Sequence, residues 1–251
     1  MREYKELRTM NTTQIGKLIE INRYPVKSFS GETLQSVDLA MYGLLGDRGY
    51  AFVDKEKTGW ARYITARKIP QMIGYHAQLE GENDADNLTL TIKSPSGQLH
   101  NWDERLLQEI QQYSKTAVSM EQFELESSSL LGVDDASILI ITNHSIEKLQ
   151  ELYGKRLDHR RFRANFLITL AEDINEADLI GQRLLIGNSE LTIKYPCERC
   201  AMITIDPDTL ERDTKLLKLI NENMNLQFGL YADVTKVGTL KTNDGVYLIE
   251  V

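Results

Sequence analysis

Alternating apolar and polar residues, interrupted every 8 to 15 residues or so by turn-forming clusters, restrict this chain more than any other feature. The stretch IGKLIEINRYPVKSF (residues 15–29) alternates like a half-buried strand. LQSVDLAMYGLLGDRGYAFVD (34–54) reads as two strands around a glycine-rich turn. NLTLTIKSPSGQLHNW (87–102) has Leu88, Leu90 and Ile92 in alternation, with SPSG as a hairpin turn. RLLIGNSELTIKY (183–195) and TLKTNDGVYLIEV (239–251) repeat the pattern. Such spacing fits β-rich barrels or sheets better than alternating strand–helix units.

Helices are expected at few places. WDERLLQEIQQYS (102–114) and RDTKLLKLINENMN (212–225) carry helical periodicity. ASILIITNHSIEKLQELYGKRL (136–157) reads as a short apolar strand leading into an amphipathic helix. Thr142, Asn143 and Ser145 lie at the start of that helix and Gly154 just past its end. The stretch RFRANFLI (161–168) is expected to be a strand, with Arg161, Arg163 and Asn165 on one face. Two guanidinium forks and an amide on one face suit a phosphate or other polyanion. A solvated face with surface ion pairs explains the same residues equally well.

The 251 residues carry a net charge of −8, with 41% hydrophobic and 26% charged residues. A general nucleic-acid binder needs a surplus of cations, so that class is set aside. No stretch approaches the roughly 20 apolar residues of a membrane helix. The charged N-terminus lacks the apolar core of a signal peptide. With two cysteines there is no disulfide framework, and a cytoplasmic location is expected.

Those two cysteines, Cys197 and Cys200, both fall in YPCERCAMITIDPDT (195–209). A zinc site needs three or four ligands, and the four histidines show no paired spacing. A thioredoxin-like dithiol belongs at a helix N-terminus, whereas AMITI alternates like a strand. Two small buried residues without chemistry are a further reading. The last is a single thiolate favoured by Arg199 and suited to a soft or high-valent metal centre carried by a cofactor. Single cations near turns, Lys27, Arg48 and Arg67, gain meaning only if they converge on one pocket.

In order, YPVKS, GLLGDRGYAFVD, ITARKIPQM, DDASILIIT, RFRANFLI, YPCERCAMITIDPDT and FGLYADVTKVGTLKTNDGVYL resemble the MOSC proteins. The family is named for the molybdenum-cofactor sulfurase C-terminal domain. The chain is most similar to members with an N-terminal β-barrel domain, such as the amidoxime-reducing components. The resemblance implies a mainly β fold with a few helices: a tail over residues 1–14, an N-terminal β-rich domain over 15–118, and a barrel-like MOSC domain over 119–251. It implies a molybdenum–pterin cofactor between the two lobes, with Cys200 as metal ligand and catalytic centre. Lys27, Ser28, Arg48, Thr142, Asn143, Arg161, Arg163, Asn165, Glu198 and Arg199 are the implied cofactor contacts. Relatives usually carry proline at the position of Ala164 and commonly a glycine soon after D-P-x-T, where Leu210 follows here. Two functions follow from the resemblance. The first is reduction of a small N-hydroxylated or related N–O substrate; two cysteines cannot hold an iron–sulfur cluster, so electrons would come from a separate protein. The second is a non-enzymatic cofactor carrier or sulfur-transfer module with a persulfide on Cys200. Neither reading calls for a nucleic acid or a membrane.

Overall fold

The longest strand among the described residues, β1 (Thr12–Arg23), closes the fold. The structure, a computed structural model, describes residues 11–81, 88–125, 132 and 135–250. Of the expected N-terminal tail, residues 1–10 lie outside the described residues, and Thr12–Gln14 belong to β1. The first half continues through β2 (Glu32–Leu34), β3 (Ser36–Ala40), β4 (Gly43–Leu44), β5 (Tyr50–Val53) and β6 (His76–Glu80). The hairpin β7 (Thr89–Lys93) and β8 (Leu99–His100), helix α1 (Glu104–Gln111) and β9 (Ser119–Gln122) follow. The second half runs β10 (Ile138–Thr142), α2 (Asn143–Tyr153), β11 (Phe166–Leu170), β12 (Arg183–Ile186) and β13 (Ser189–Glu198). It ends with α3 (Thr214–Met224), β14 (Gln227–Lys236), β15 (Thr239–Lys241) and β16 (Gly245–Ile249).

Strands β11, β10, β14, β13, β12, β16 and β1 lie side by side in that order, and β1 then pairs with β11. Seven strands therefore close a barrel. All of its pairings are antiparallel except β10 with β11. Six of the seven strands come from the second half, and β1 from the first. Smaller sheets pair β15–β3–β4, β5–β9 and β6–β7–β8. The fold is thus mainly β, with three α-helices among the described residues, as the alternation and its turn signals foretold.

Strand β1 shows how closure is achieved. Its buried apolar residues Ile15, Leu18 and Ile21 are three apart, not two. Register shifts against β16 (between Gln14 and Gly16) and against β11 (between Leu18 and Glu20) account for this. Each bulge adds a residue to the strand and returns the next side chain to the interior. Gly16 sits at the seam, paired with both Leu170 and Val246; a Cβ there would run into the carbonyl oxygen of Thr169.

Three apolar clusters organise the interior. Ile15, Leu18, Ile21, Ile140, Phe166, Leu191 and Val246 are among those that fill the barrel. Phe29, Phe52, Met72, Tyr75, Ile92 and Ile110 fill the lobe built from β5–β9 and α1. Between α2, α3 and the barrel wall lies a third, which includes Phe162, Phe228 and Cys197. The helix ends match their sequence signals. The Thr142 hydroxyl accepts from the Ser145 amide at 3.2 Å, and Gly154 takes φ 73° beyond the last turn.

Three local expectations are corrected. Residues 34–54 hold three short strands, β3, β4 and β5, rather than two. Arg161 and Arg163 are not on a strand: His159–Phe162 is a 3-10 turn, Arg163 takes φ 54° after it, and β11 starts only at Phe166. Ala201–Thr204 after Cys200 is likewise a 3-10 turn, whose Ile203 and Thr204 point inward. Polar–apolar alternation is shared by strands and by short tight turns, and here tertiary contacts chose the turns. Leu210, in the stretch where the resembled family commonly carries a glycine, is held at φ 63°, in the left-handed region that favours glycine.

Candidate cofactor cleft

The segments leaving three barrel strands meet at one cleft. Its walls include Lys27 and Ser28 after β1, Arg163 and Asn165 before β11, and Glu198, Arg199 and Cys200 at the end of β13. Arg48, Thr65 and Arg67 reach it from the first-half lobe. Among the described residues, five cationic side chains (Lys27, Arg48, Arg67, Arg163, Arg199) and one carboxylate, Glu198, line it, on a chain whose net charge is −8. A concave surface with an excess of one sign concentrates counter-charge, so such a wall favours anions.

The backbone that builds it is strained. Ser28, Arg48 and Arg163 take φ values of 73°, 51° and 54°. Each left-handed non-glycine residue costs on the order of 1–3 kcal/mol and persists only where its surroundings fix it. Asp47 supplies much of that fixing. It is 1% exposed; its carboxylate accepts from the Tyr24 amide at 2.7 Å, from Asn165 Nδ2 at 3.1 Å, and from Arg48 Nη1. Arg48 also donates to the Arg163 carbonyl at 3.2 Å, and Arg163 Nη1 donates to the Phe29 carbonyl at 2.6 Å. Both guanidiniums lie over the ring of Tyr24, with centroid distances of 4.8 Å for Arg48 and 4.3 Å for Arg163. Burial pushes the Tyr24 phenol up, against the two arginines, so it stays protonated at neutral pH.

The two cysteines differ sharply. Cys197 is 1% exposed, inside the third apolar cluster, and its sulfur accepts from Arg199 Nη1 at 2.9 Å. Both cysteines line the cleft, but Cys200 is the exposed one. Arg199 is fixed from both ends: Nη2 donates to the Phe162 carbonyl at 2.8 Å, and its guanidinium lies 5.4 Å from the Phe162 ring centroid. The sulfur that Arg199 touches is that of Cys197, where the sequence pointed to a thiolate beside it without choosing between the two.

Of the residues singled out from sequence, Lys27, Ser28, Arg48, Arg163, Asn165, Glu198, Arg199 and Cys200 line this cleft. Three do not, and hold the fold instead. Arg161 donates to the carbonyls of Ile203 and Thr204 and to Asp206 at 2.5 Å, tying the two 3-10 turns together. Thr142 caps α2. Asn143 Oδ1 accepts from the Leu170 amide at 2.9 Å, joining α2 to β11. Asn165, although in the wall, spends its amide on the Leu139 amide, the Asn22 carbonyl and Asp47. Reasoning from sequence passed over Asp47 and Tyr24, although both lie in the quoted stretches GDRGY and YPVKS. Their partners are far away in sequence, so no local signal marked them.

Among the described residues, two buried polar atoms of the cleft residues lack a protein partner: Ser28 Oγ and Arg199 Nε. Native proteins rarely bury such atoms unsatisfied, so their presence in one cleft points to a ligand with acceptor groups. Among the described residues, no group of three or more histidine, cysteine or acidic side chains is placed to hold a metal ion. A metal here would therefore arrive with most of its own ligands, leaving a place for one thiolate. A molybdenum–pterin group, anionic and bringing dithiolene sulfurs, fits this donor set.

Comparison with known proteins decides the family. The MOSC N-terminal beta barrel domain matches residues 15–141 and the MOSC domain matches residues 127–247. The chain belongs to the MOSC family. It is 27% identical to mitochondrial amidoxime reducing component 2 of Homo sapiens, over 93% of this chain and 84% of that protein. It is 30% identical to a stretch of molybdenum cofactor sulfurase from Bombyx mori, covering 54% of this chain but 17% of that protein. The YUAD protein from Bacillus subtilis shares the fold, with TM-score 0.52 and 13% identity over 97% of this chain and 100% of that one. The two matched domains overlap at residues 127–141, and β1, which lies in the N-terminal match from Ile15 on, closes the barrel with strands of the second. Among the described residues no helix is long and apolar enough to cross a membrane.

Proposed function

We propose that this protein binds the molybdenum cofactor in the cationic cleft and uses it to reduce small N-hydroxylated compounds. Electrons would come from a separate protein. The observation that carries the reading is convergence: an exposed thiol, Cys200, shares one cleft with five cations and with two orphaned buried polar atoms, Ser28 Oγ and Arg199 Nε. Similarity over 93% of the chain to an amidoxime reducing component supports the choice of substrate class.

In this reading Cys200 supplies one thiolate to the metal from an exposed position, and substrate reaches it from solvent. Lys27, Arg48 and Arg163 neutralise the cofactor's phosphate, and the buried Ser28 hydroxyl and Arg199 Nε donate to its polar edge. Asp47 and Tyr24 hold Arg48 and Arg163 in place before the ligand arrives, so less order is lost on binding. When bound, the group would supply two-electron redox chemistry. The net reaction takes an N–OH compound, two electrons and two protons to the N–H compound and water. Among the described residues, Glu198 is the one carboxylate in the cleft wall, and it would steer a cationic substrate or carry a proton.

The test uses the full chain purified from cells that make the cofactor. An aryl amidoxime is offered with a reduced viologen as electron source. Turnover to the amidine is the expected result. Loaded metal without turnover of any N-hydroxylated substrate would favour a carrier instead, and a persulfide on Cys200 without metal would favour sulfur transfer.

A further inference from the structure

Trp60 stands out as a large aromatic side chain left 56% exposed at the tip of a loop. The loop leaves β5 and returns beside it: the Asp54 amide donates to the Arg62 carbonyl at 2.7 Å, and the Ile64 amide to the Phe52 carbonyl at 2.9 Å. Gly59, at φ 57° with open space where a Cβ would stand, starts the 3-10 turn Gly59–Arg62 that carries Trp60. Arg62 pins the turn from the far side, donating to Glu121 Oε1 of β9 at 2.8 Å and lying 5.1 Å from the Tyr63 ring centroid. This is a firmly tied loop, and yet it holds an indole out toward water.

The indole's inner neighbour explains it. The Lys27 ammonium lies 5.4 Å from the Trp60 ring centroid and 4.9 Å from that of Tyr63. The two rings are 5.4 Å apart and inclined at 38°. Lys27 Nζ also donates to the Gly132 carbonyl at 2.6 Å, and the residue is buried. A lysine side chain has four rotatable bonds, so an unbraced ammonium samples many positions at an entropy cost to any ligand that orders it. Two ring faces and a carbonyl are among the contacts that restrict it in the cleft wall, and partial desolvation strengthens the ring attraction.

We infer that Trp60 and Tyr63 are positioning residues: they form an aromatic brace that holds the Lys27 ammonium at a fixed point for an anionic group in the cleft. The identity of that group as the cofactor's phosphate rests on the function proposed above; the brace itself does not. The effect of Trp60 is transmitted through Lys27, so removing both residues should cost no more than removing Lys27.

The experiment measures pyrophosphate affinity of the full-length chain by calorimetry for wild type, Trp60→Phe, Trp60→Leu, Lys27→Met and the double variant Trp60→Leu/Lys27→Met. Thermal unfolding is recorded for each to confirm folding. Trp60→Leu should weaken pyrophosphate binding about 3- to 10-fold, the range of a partly desolvated cation–ring contact. Trp60→Phe, which keeps a ring face, should restore most of it. The double variant should match Lys27→Met. Absence of pyrophosphate binding by the wild-type chain overturns the inference, as does equal affinity in Trp60→Leu or additive losses in the double variant. Molybdenum content of the same proteins separates the two ideas. If wild type carries no molybdenum while the pyrophosphate series behaves as stated, the brace stands and the cofactor reading falls.

Discussion

Arg199 donates from Nη1 to the sulfur of Cys197 at 2.9 Å, and that contact divides the two cysteines by role. Cys197 is an interior acceptor that helps fix Arg199 against Phe162. Cys200, three residues on at the start of a 3-10 turn, remains open to the cleft. A C-x-x-C spacing that looks symmetrical in sequence is therefore asymmetrical in space.

That asymmetry is measurable without any cofactor. In the metal-free chain a small alkylating reagent should modify Cys200 rapidly and Cys197 only on unfolding, because reaction requires access to the sulfur. Peptide mapping after a brief exposure reads the two sites. Equal labelling of both would contradict the burial of Cys197.

Asp47 should be the most damaging polar position to alter. Asp47→Ala strips partners from the Tyr24 amide, Arg48 and Asn165 at once, in a site 1% exposed. Breaking a buried charged contact from one side costs about 3–5 kcal/mol. The denaturant midpoint should fall accordingly. A change under about 1 kcal/mol, within the range of an ordinary surface substitution, would mean that Asp47 is not the hub described.

The barrel seam makes a test of closure. Gly16→Ala places a methyl group against the Thr169 carbonyl where β1 meets β11. Overpacking of this kind costs about 1–3 kcal/mol. Chemical denaturation should show that loss, and hydrogen exchange should rise first in β1 and β11. Unchanged stability would indicate that the seam is looser than the pairing implies.

Glu20 and His159, 2.9 Å apart, should give a pH dependence of stability. The hydrogen bond to Glu20 raises the His159 pKa above its ordinary 6.5, outweighing burial. The same bond lowers the Glu20 pKa below its ordinary 4.5. The histidine's contribution is complete below its unfolded pKa and fades as pH rises through the raised folded value. The glutamate's contribution is complete above its unfolded pKa and fades as pH falls through the lowered folded value. Their joint support is greatest between those two ordinary values. Both groups are about one-third exposed, so the amount is small, about 0–1 kcal/mol. His159→Ala should lose more stability at about pH 5.5 than at about pH 8.5, read as the shift in urea midpoint. An equal loss at both would show that the pair does not act as an ion pair.

Much of this molecule could be read from its sequence, for reasons that are local. Leu90 and Ile92 of β7 alternate with polar neighbours, and Thr142 and Gly154 bracket α2 with a cap and a left-handed stop. The cations of YPVKS, GDRGY and RFRAN are marked by the ordered set of motifs that resembles the MOSC proteins; taken alone, a solvated role explains them equally well. What could not be read was set by distant partners. Alternation made RFRAN look like a strand, but Arg163 is turned to φ 54° and laid over Tyr24, 139 positions earlier in sequence numbering. The same motif places Arg161 on the carbonyls of Ile203 and Thr204, away from the cleft. Nor does anything in residues 12–23 announce that they close a barrel built from the other half of the chain. Long-range pairing leaves little trace in a strand's own residues.

The most direct test is the metal and pterin content of the freshly purified full chain from cofactor-producing cells, beside Cys200→Ser. The account predicts about one molybdenum and one pterin per chain in wild type, since one cleft holds one group, and loss of most of the metal in Cys200→Ser. A wild-type chain without molybdenum, under conditions that load a related MOSC protein, would contradict it. So would equal metal in the two proteins.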